Sequence, residues 1–153
     1  MAILTREEIL GRLNWFYSLE LNQVDLYTAQ SKRQEDIYLQ RVLERVAGIE
    51  QQHVDNIAAH IKSLGGVPTK LGDMLAPTTG QIAGKVLAGI GTIAVLKANI
   101  KLEEKAMRDY KAFILKAGGD RELFNLLWNN LIDEDLHTAW FASKLRELES
   151  LEG

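Results

Sequence analysis

Glu50-Gln51-Gln52-His53 and Glu134-Asp135-Leu136-His137 are two copies of one pattern, Glu-x-x-His, each inside a long stretch of helical periodicity. Residues i and i+3 share a helix face, so each copy sends a carboxylate and an imidazole to the same point. Upstream of each copy, on another predicted helix, a glutamate is followed seven positions later by a tyrosine: Glu20 with Tyr27, and Glu103 with Tyr110. The step from Glu20 to Glu50 is 30 residues and from Glu103 to Glu134 is 31, so the whole arrangement occurs twice. Four glutamates and two histidines from four helices are the donor set of a two-metal site in a helix bundle.

A single Glu-x-x-His is weak, because glutamate is common on solvated faces and such pairs arise by chance. The neighbours decide against that reading here. Val46, Ile49, Val54 and Ile57 surround the first copy, and Leu131, Leu136, Trp140 and Phe141 the second. An unpartnered buried carboxylate is very costly, and two divalent cations would balance four of them. The expected metal set is Glu20, Glu50, His53, Glu103, Glu134 and His137. Glu103 is preferred to its neighbour Glu104, which points about 100° away. Glu104 shares a stripe with Lys97, Lys101, Arg108 and Lys111, whereas Glu103 shares one with Leu96, Ile100, Met107, Tyr110 and Ile114.

Other polar residues divide less cleanly. His60 lies two turns beyond His53 and reads as a hydrogen-bonded structural histidine rather than a supplementary ligand. Asp133, one turn before His137, either orients that ring or faces solvent. Tyr27 and Tyr110 either hydrogen-bond the carboxylates or simply pack. Trp15, Trp128 and Trp140 read as core or subunit contacts.

Around these residues the chain reads as four long helices. Thr5 with Glu8 forms a capping box that starts helix one, whose inward positions are Leu13, Phe16, Tyr17, Glu20, Val24 and Tyr27. Ser31-Lys32-Arg33-Gln34 holds the turn, and helix two runs from about Glu35 to Leu64, where Gly65-Gly66 and Pro68 end it. Residues 65–81 form a long crossover that lets helix three run parallel to helix two. Helix three is expected from about Ile82 to Lys116. Helix four is capped by Asp120 and runs to about Glu149. The fold class is all-α, a four-helix bundle with a long crossover between helices two and three, and residues 1–153 read as one domain.

At 153 residues the chain is long enough for a self-sufficient core. With no cysteine, disulfides, zinc ribbons and cysteine-ligated iron centres are excluded. Any electron transfer then needs an external electron donor. A net charge of -3 gives no footprint for nucleic acid. The first residues lack the basic-then-apolar order of a signal peptide, so a cytoplasmic location is expected. The charge-free run Val86 to Leu96 covers 11 residues, against about 20 for a spanning helix. It reads as core, with membrane-surface contact as the less favoured alternative.

With those residues in hand, the chain resembles the ferritin-like di-iron superfamily over nearly its whole length. Within it, the chain looks closest to rubrerythrin-related proteins and demethoxyubiquinone hydroxylases. The Glu-x6-Tyr element at Glu20/Tyr27 and Glu103/Tyr110 is similar to the hydroxylases, as is the glycine-rich lead from Gly84 to Gly91. The chain departs from typical rubrerythrins in having no cysteine-rich module, and Ile100, Ala106 and Met107 stand where those offer an extra glutamate. The resemblance implies two iron ions, with manganese as a substitute. Glu50 and Glu134 would bridge the metals, Glu20 and Glu103 would be terminal ligands, and His53 and His137 would serve one metal each. The expected function is an oxidoreductase acting on oxygen or peroxide. An iron-binding, ferroxidase storage-type protein and a quinone-type hydroxylase are the alternatives, and a homo-oligomer is expected.

Overall fold

Thr5 opens the first helix through the expected capping box: its hydroxyl accepts from the Glu8 N–H at 3.1 Å and its own N–H donates to Glu8 Oε2 at 2.7 Å. In the computed structural model, which describes residues 3–72 and 91–152, this helix (α1) spans Arg6–Ser31. Asp36 caps α2, Ile37–Ser63, by accepting from the N–H groups of Tyr38 and Leu39 at 2.9 and 3.2 Å. Helix α3 covers Thr92–Ile114. Asp120 accepts from the Leu123 N–H at 2.9 Å at the start of α4, Arg121–Glu152. Each such cap satisfies backbone donors left open by helix geometry and contributes about 1 kcal/mol.

The architecture is an all-α four-helix bundle with a long connection between α2 and α3. Short turns make α1–α2 and α3–α4 antiparallel hairpins that pack internally along their lengths. The Thr92 hydroxyl donates to Gln34 Oε1 at 3.3 Å, so α3 starts beside the α1–α2 turn and runs parallel to α2. The expected start of helix three at Ile82, the glycine-rich lead and Val86–Ile90 lie outside the described residues. Val95 and Leu96, the end of the apolar run, are buried in α3. Among the described residues no helix is long and apolar enough to cross a membrane.

Helix α1 is covered on more sides than its apolar stripe predicts. Ser18, Asn22 and Gln23 are buried, whereas Tyr17 and Val24, expected to face inward, are half-buried. Part of that cover is the beginning of the long connection. Gly65 takes a φ of +78° after the last turn of α2, with Gly66 N–H donating to Ile61 O and Gly65 N–H to Lys62 O, both at 2.9 Å. The chain then runs back along α1. Leu64 O accepts from Arg6 Nε, Thr69 N–H donates to Asn14 Oδ1 and Leu71 N–H to Ser18 Oγ, each at 2.7 Å. Arg6, Asn14 and Ser18 sit at multiples of four residues on α1, one helix stripe reserved for this contact.

The hairpins meet through long side chains. At one end Phe16 stacks on Tyr110 (ring centroids 4.1 Å apart) and on Phe113 (5.8 Å). At the other end Gln30 and Asn99 exchange two hydrogen bonds of 2.9 and 2.8 Å. Trp15 and Trp140 are half-buried against this core, and Trp128 is exposed.

Two glycine substitutions separate backbone freedom from space. Gly65→Ala should lower stability by about 1 kcal/mol or more, because alanine is strained at that φ. Gly48 is an exposed position inside α2 where an added Cβ would meet nothing within 4 Å. Gly48→Ala should therefore gain up to about 1 kcal/mol. Urea denaturation of the two variants beside the parent checks both signs.

Candidate metal centre

Glu20 on α1 and Glu103 on α3 each join one end of a buried cluster, and the two Glu-x-x-His motifs enter it from α2 and α4. All six residues are buried, the four glutamates at 0% exposure, His53 at 2% and His137 at 5%. Helical phase does this: each motif residue continues an apolar stripe, so burying the stripe buries the carboxylate. Glu104 is exposed, as its lysine-rich stripe predicts.

The six residues form two overlapping groups. Glu20, Glu50, His53 and Glu134 each bring one donor atom to within 4.8 Å of the others, and so do Glu50, Glu103, Glu134 and His137. Glu50 and Glu134 belong to both. Nδ1 of His53 lies 3.4 Å from Glu20 Oε2, 3.5 Å from Glu50 Oε2 and 3.2 Å from Glu134 Oε1. Nδ1 of His137 lies 2.9 Å from Glu50 Oε1 and 3.9 Å from Glu103 Oε1.

The tyrosines cross over. Tyr27 on α1 donates to Glu103 Oε1 at 2.5 Å, and Tyr110 on α3 donates to Glu20 Oε1 at 2.6 Å. The amide of Gln23, with its nitrogen turned to the carboxylates, donates to Glu20 Oε2 at 3.2 Å and Glu50 Oε2 at 3.1 Å. Asn130 donates to the Tyr110 hydroxyl at 3.2 Å. Asp133 differs from expectation: its Oδ2 lies 2.8 Å from Nε2 of His53, across the bundle, and it does not serve the nearby His137. His60 sits apart from both groups, its Nε2 3.4 Å from Asp120 Oδ2.

Burial dominates the electrostatics. Desolvation, then the charges of Glu134 and Glu20, pushes Glu50 well above the usual carboxylate range. Desolvation, then Glu20, raises Glu134 from 4.5 to about 7. Desolvation would also raise Glu20, but the His53 charge and hydrogen bonds outweigh it and hold Glu20 low. For His53 burial favours the neutral ring, yet the Glu20 charge, the bond to Asp133 and the nearby Glu134 carboxylate drive it far upward. His137, desolvated and beside a charged His53, falls from 6.5 to about 4. Burial, then neighbouring carboxylates, raises Tyr27 and Tyr110, which keeps both hydroxyls protonated as donors.

Hydrogen bonds do not use up this cluster. Among the described residues, Glu50 Oε1, Glu103 Oε2, both Glu134 oxygens, Nδ1 of His53 and both ring nitrogens of His137 are buried with no partner in hydrogen-bonding geometry. Buried polar atoms are ordinarily paired, and so many orphans facing each other call for another species. Lone pairs of four carboxylates and two imidazoles, converging without interlocking, fit two cations that take nitrogen and oxygen donors.

Comparison with known proteins agrees with this architecture. The family model described as a ferritin-like domain matches residues 11–151. Bacterioferritin from Desulfovibrio desulfuricans is 24% identical over 143 residues, covering 90% of this chain and 74% of that protein. A solved structure of that species' bacterioferritin, described with its diiron site in different catalytic states, superposes with a TM-score of 0.80 at 22% identity, covering 95% of this chain and 82% of the other. The bacterioferritin-related protein from Bacteroides fragilis, described as a dodecameric thioferritin, has a TM-score of 0.80 at 19% identity, covering 97% and 90%.

The raised groups fix how the metal-free protein responds to pH. Raised pKa values of Glu50 and Glu134 mean that the fold binds protons the unfolded chain has released. Their contribution is lost as pH rises from 4.5, and for Glu134 through about 7. The contribution of raised His53 is lost as pH rises above 6.5, while that of lowered His137 is lost only below 6.5. Above pH 6.5 only losses remain. Metal-free protein should therefore become less stable from pH 6.5 to 8, by at most about 1.4 kcal/mol per pH unit for each proton involved. Calorimetric melting in chelator measures this, and a melting temperature that climbs over that window contradicts the assignment.

Proposed function

The chain belongs to the ferritin-like domain family, and from that premise and its six convergent side chains we propose that it binds iron as a ferroxidase-type protein. The observation that carries the reading is the pair of overlapping buried donor groups that share Glu50 and Glu134. Glu20 and His53 would hold one ion, Glu103 and His137 the other, and the shared glutamates would bridge them. Held there, two ferrous ions would supply one electron each, enough to reduce dioxygen to hydrogen peroxide with two protons.

The chain's own residues do the rest. Tyr27 and Tyr110 each occupy one oxygen of Glu103 and Glu20 and leave the other oxygen to the centre. Asp133 holds Nε2 of His53 and turns Nδ1 inward. Burial of the two tyrosine–glutamate contacts lowers the local dielectric and strengthens them, whereas the Asp133 carboxylate is partly exposed and its contact is strengthened less. The donor set also suits manganese, so iron is chosen by supply as much as by affinity.

An oxygen- or peroxide-consuming oxidoreductase fed by an external donor would use the same six residues. The bacterioferritin relatives favour iron binding and ferroxidase work over that reading, and over placement among rubrerythrin-related proteins or quinone-type hydroxylases. The dodecameric relative supports a homo-oligomer, which a storage role requires.

Anaerobic protein should take up about two ferrous ions per chain, oxidise both in a rapid phase on exposure to air, and run as a homo-oligomer in native mass measurement. The double variant Glu50→Ala, Glu134→Ala should lose both ions, and two ions retained there would sink the assignment. Glu103→Gln should weaken one position, whereas exposed Glu104→Gln should leave iron content unchanged and shift stability by less than about 0.5 kcal/mol.

A further inference from the structure

Helix α4 packs on α3 and, more lightly, on α2, which leaves one side over. That side is not the charged face a solvated helix presents. Phe124, Trp128, Ile132, Leu136 and Trp140 follow one another at steps of four. Phe124 and Trp128 are each 41% exposed, Ile132 51% and Leu136 63%, and Trp140 is half-buried. Four residues turn a helix by about 400°, so each side chain stands about 40° round from the last. The five form a diagonal ridge about 24 Å long that crosses the outer face of α4 from one edge to the other. Phe124 and Trp128 meet edge to face, ring centroids 6.2 Å apart, and Trp140 meets exposed Tyr38 of α2 at 6.1 Å. From Leu123 to Phe141 the exposed residues beside the ridge are Asn125, Asn129, Asp135 and Ala139, with one charge among them.

The ridge is complementary to itself. Its steps are symmetric about Ile132, so a second copy turned antiparallel sets Ile132 beside Ile132, Trp128 beside Leu136 and Phe124 beside Trp140. Ridges at steps of four on two helices interdigitate at a crossing angle of about −50°, the commonest packing of helices. The short side chains of Asn125, Asn129 and Ala139 leave grooves for it. The ends match as well. A cavity of about 340 Å³ lined by Gly118, Gly119, Arg121, Phe124 and Asn125 opens at the start of the ridge, and the Trp140–Tyr38 pair stands at its end. A twofold axis brings each copy's aromatic pair toward the other's cavity. The ridge with Tyr38 exposes on the order of 500 Å² of apolar surface, the upper end of what a monomer leaves bare. With its asparagine rim it approaches the roughly 800 Å² that each partner contributes to a stable interface.

We propose that a second copy of this chain docks here, α4 against α4, about a twofold axis that passes Ile132. This deepens the homo-oligomer expected above and does not depend on the metal. One helix then serves two purposes: Glu134 and His137 face the buried centre, while Ile132 and Leu136 face the partner.

The chain has no cysteine, so single introduced cysteines report proximity without background. Ile132→Cys in the full chain should give a disulfide-linked dimer under mild oxidation, and Glu104→Cys, exposed on α3, should not. Trp128→Cys and Leu136→Cys should cross-link poorly alone and strongly when mixed and left to exchange. In sedimentation velocity wild type should run as an even-numbered assembly. Ile132→Glu should run at half that mass or less, because two carboxylates would meet at the axis. Its helix content should be unchanged, since position 132 is exposed; if helix is lost, the cross-linking pattern decides alone. Wild-type mass retained by folded Ile132→Glu, or no cross-link in Ile132→Cys, overturns the proposal. Wild type that runs as a monomer and sediments with vesicles of phosphatidylcholine and phosphatidylglycerol assigns the ridge to a lipid surface, which also overturns it. Ferrous uptake by the same samples keeps the two readings apart: a cross-linked dimer that binds no iron leaves this contact standing and removes the metal reading.

Discussion

Four glutamates at 0% exposure in the middle of a helix bundle are the constraint to which the rest of this structure answers. Each would be prohibitive alone, and together they repel. The fold offsets this in two ways before any ion is considered. Protons and one imidazolium reduce the net negative charge, as the opposite displacements of Glu20 and Glu50 express. The tyrosines supply neutral donors from the opposite hairpin, so every Glu-x6-Tyr element serves the other half's carboxylate. The seven-residue step is two helical turns, which keeps glutamate and tyrosine on one face while moving the hydroxyl far enough to reach across. The contacts that orient the carboxylates therefore also tie α1 to α3.

The sequence was informative where the physics is local. Caps at Thr5 and Asp120 act within three residues, and helical phase with the spacing to Tyr110 separated buried Glu103 from exposed Glu104, whereas the Asp36 cap of α2 was found only in the structure. It was misleading where the partner lies on another helix. Asp133 looks like a companion of His137 because they are one turn apart, but its carboxylate goes to His53 on α2. Leu136, expected to shield the second motif, is 63% exposed, since a residue two places from Glu134 faces away from it. Gln23, Asn99 and Asn130 were missed altogether, although polar residues one turn from a buried glutamate are the signal that would have found them. The cover of α1 by residues 64–72 had no counterpart in periodicity, because its hydrogen bonds come from the backbone of an irregular segment.

Matched positions elsewhere in the two halves show how far the repetition has drifted. Phe16 and Asn99 each stand one turn before their glutamate, and Phe113 and Gln30 each stand ten residues after. They meet as pairs at opposite ends of the site: Phe16 with Phe113 as a ring stack, Asn99 with Gln30 as a doubly hydrogen-bonded amide pair. Both solutions bridge α1 and α3, one by dispersion and apolar burial, the other by mutual satisfaction of buried amides. The amide pair is tolerable only as a pair, since removing one partner strands the other in a dry core. The repetition is therefore kept in the six donors and their tyrosines, and relaxed in every layer around them.

That pattern bears on how folding and metal binding are linked. Apolar layers built from Leu13, Leu39, Leu43, Ile57, Leu123 and Leu127 stabilise the bundle whether or not the centre is filled. The centre itself opposes folding when it is empty, because its orphaned donors are desolvated without compensation. A cation that binds the folded centre and not the unfolded chain adds its binding free energy to stability. The aliphatic and aromatic layers thus hold open a site that would otherwise collapse into hydrogen bonds or shed its carboxylates to solvent. Geometry is set in advance by packing, the energy of occupancy is set by the carboxylates, and the two are supplied by different residues on the same four helices.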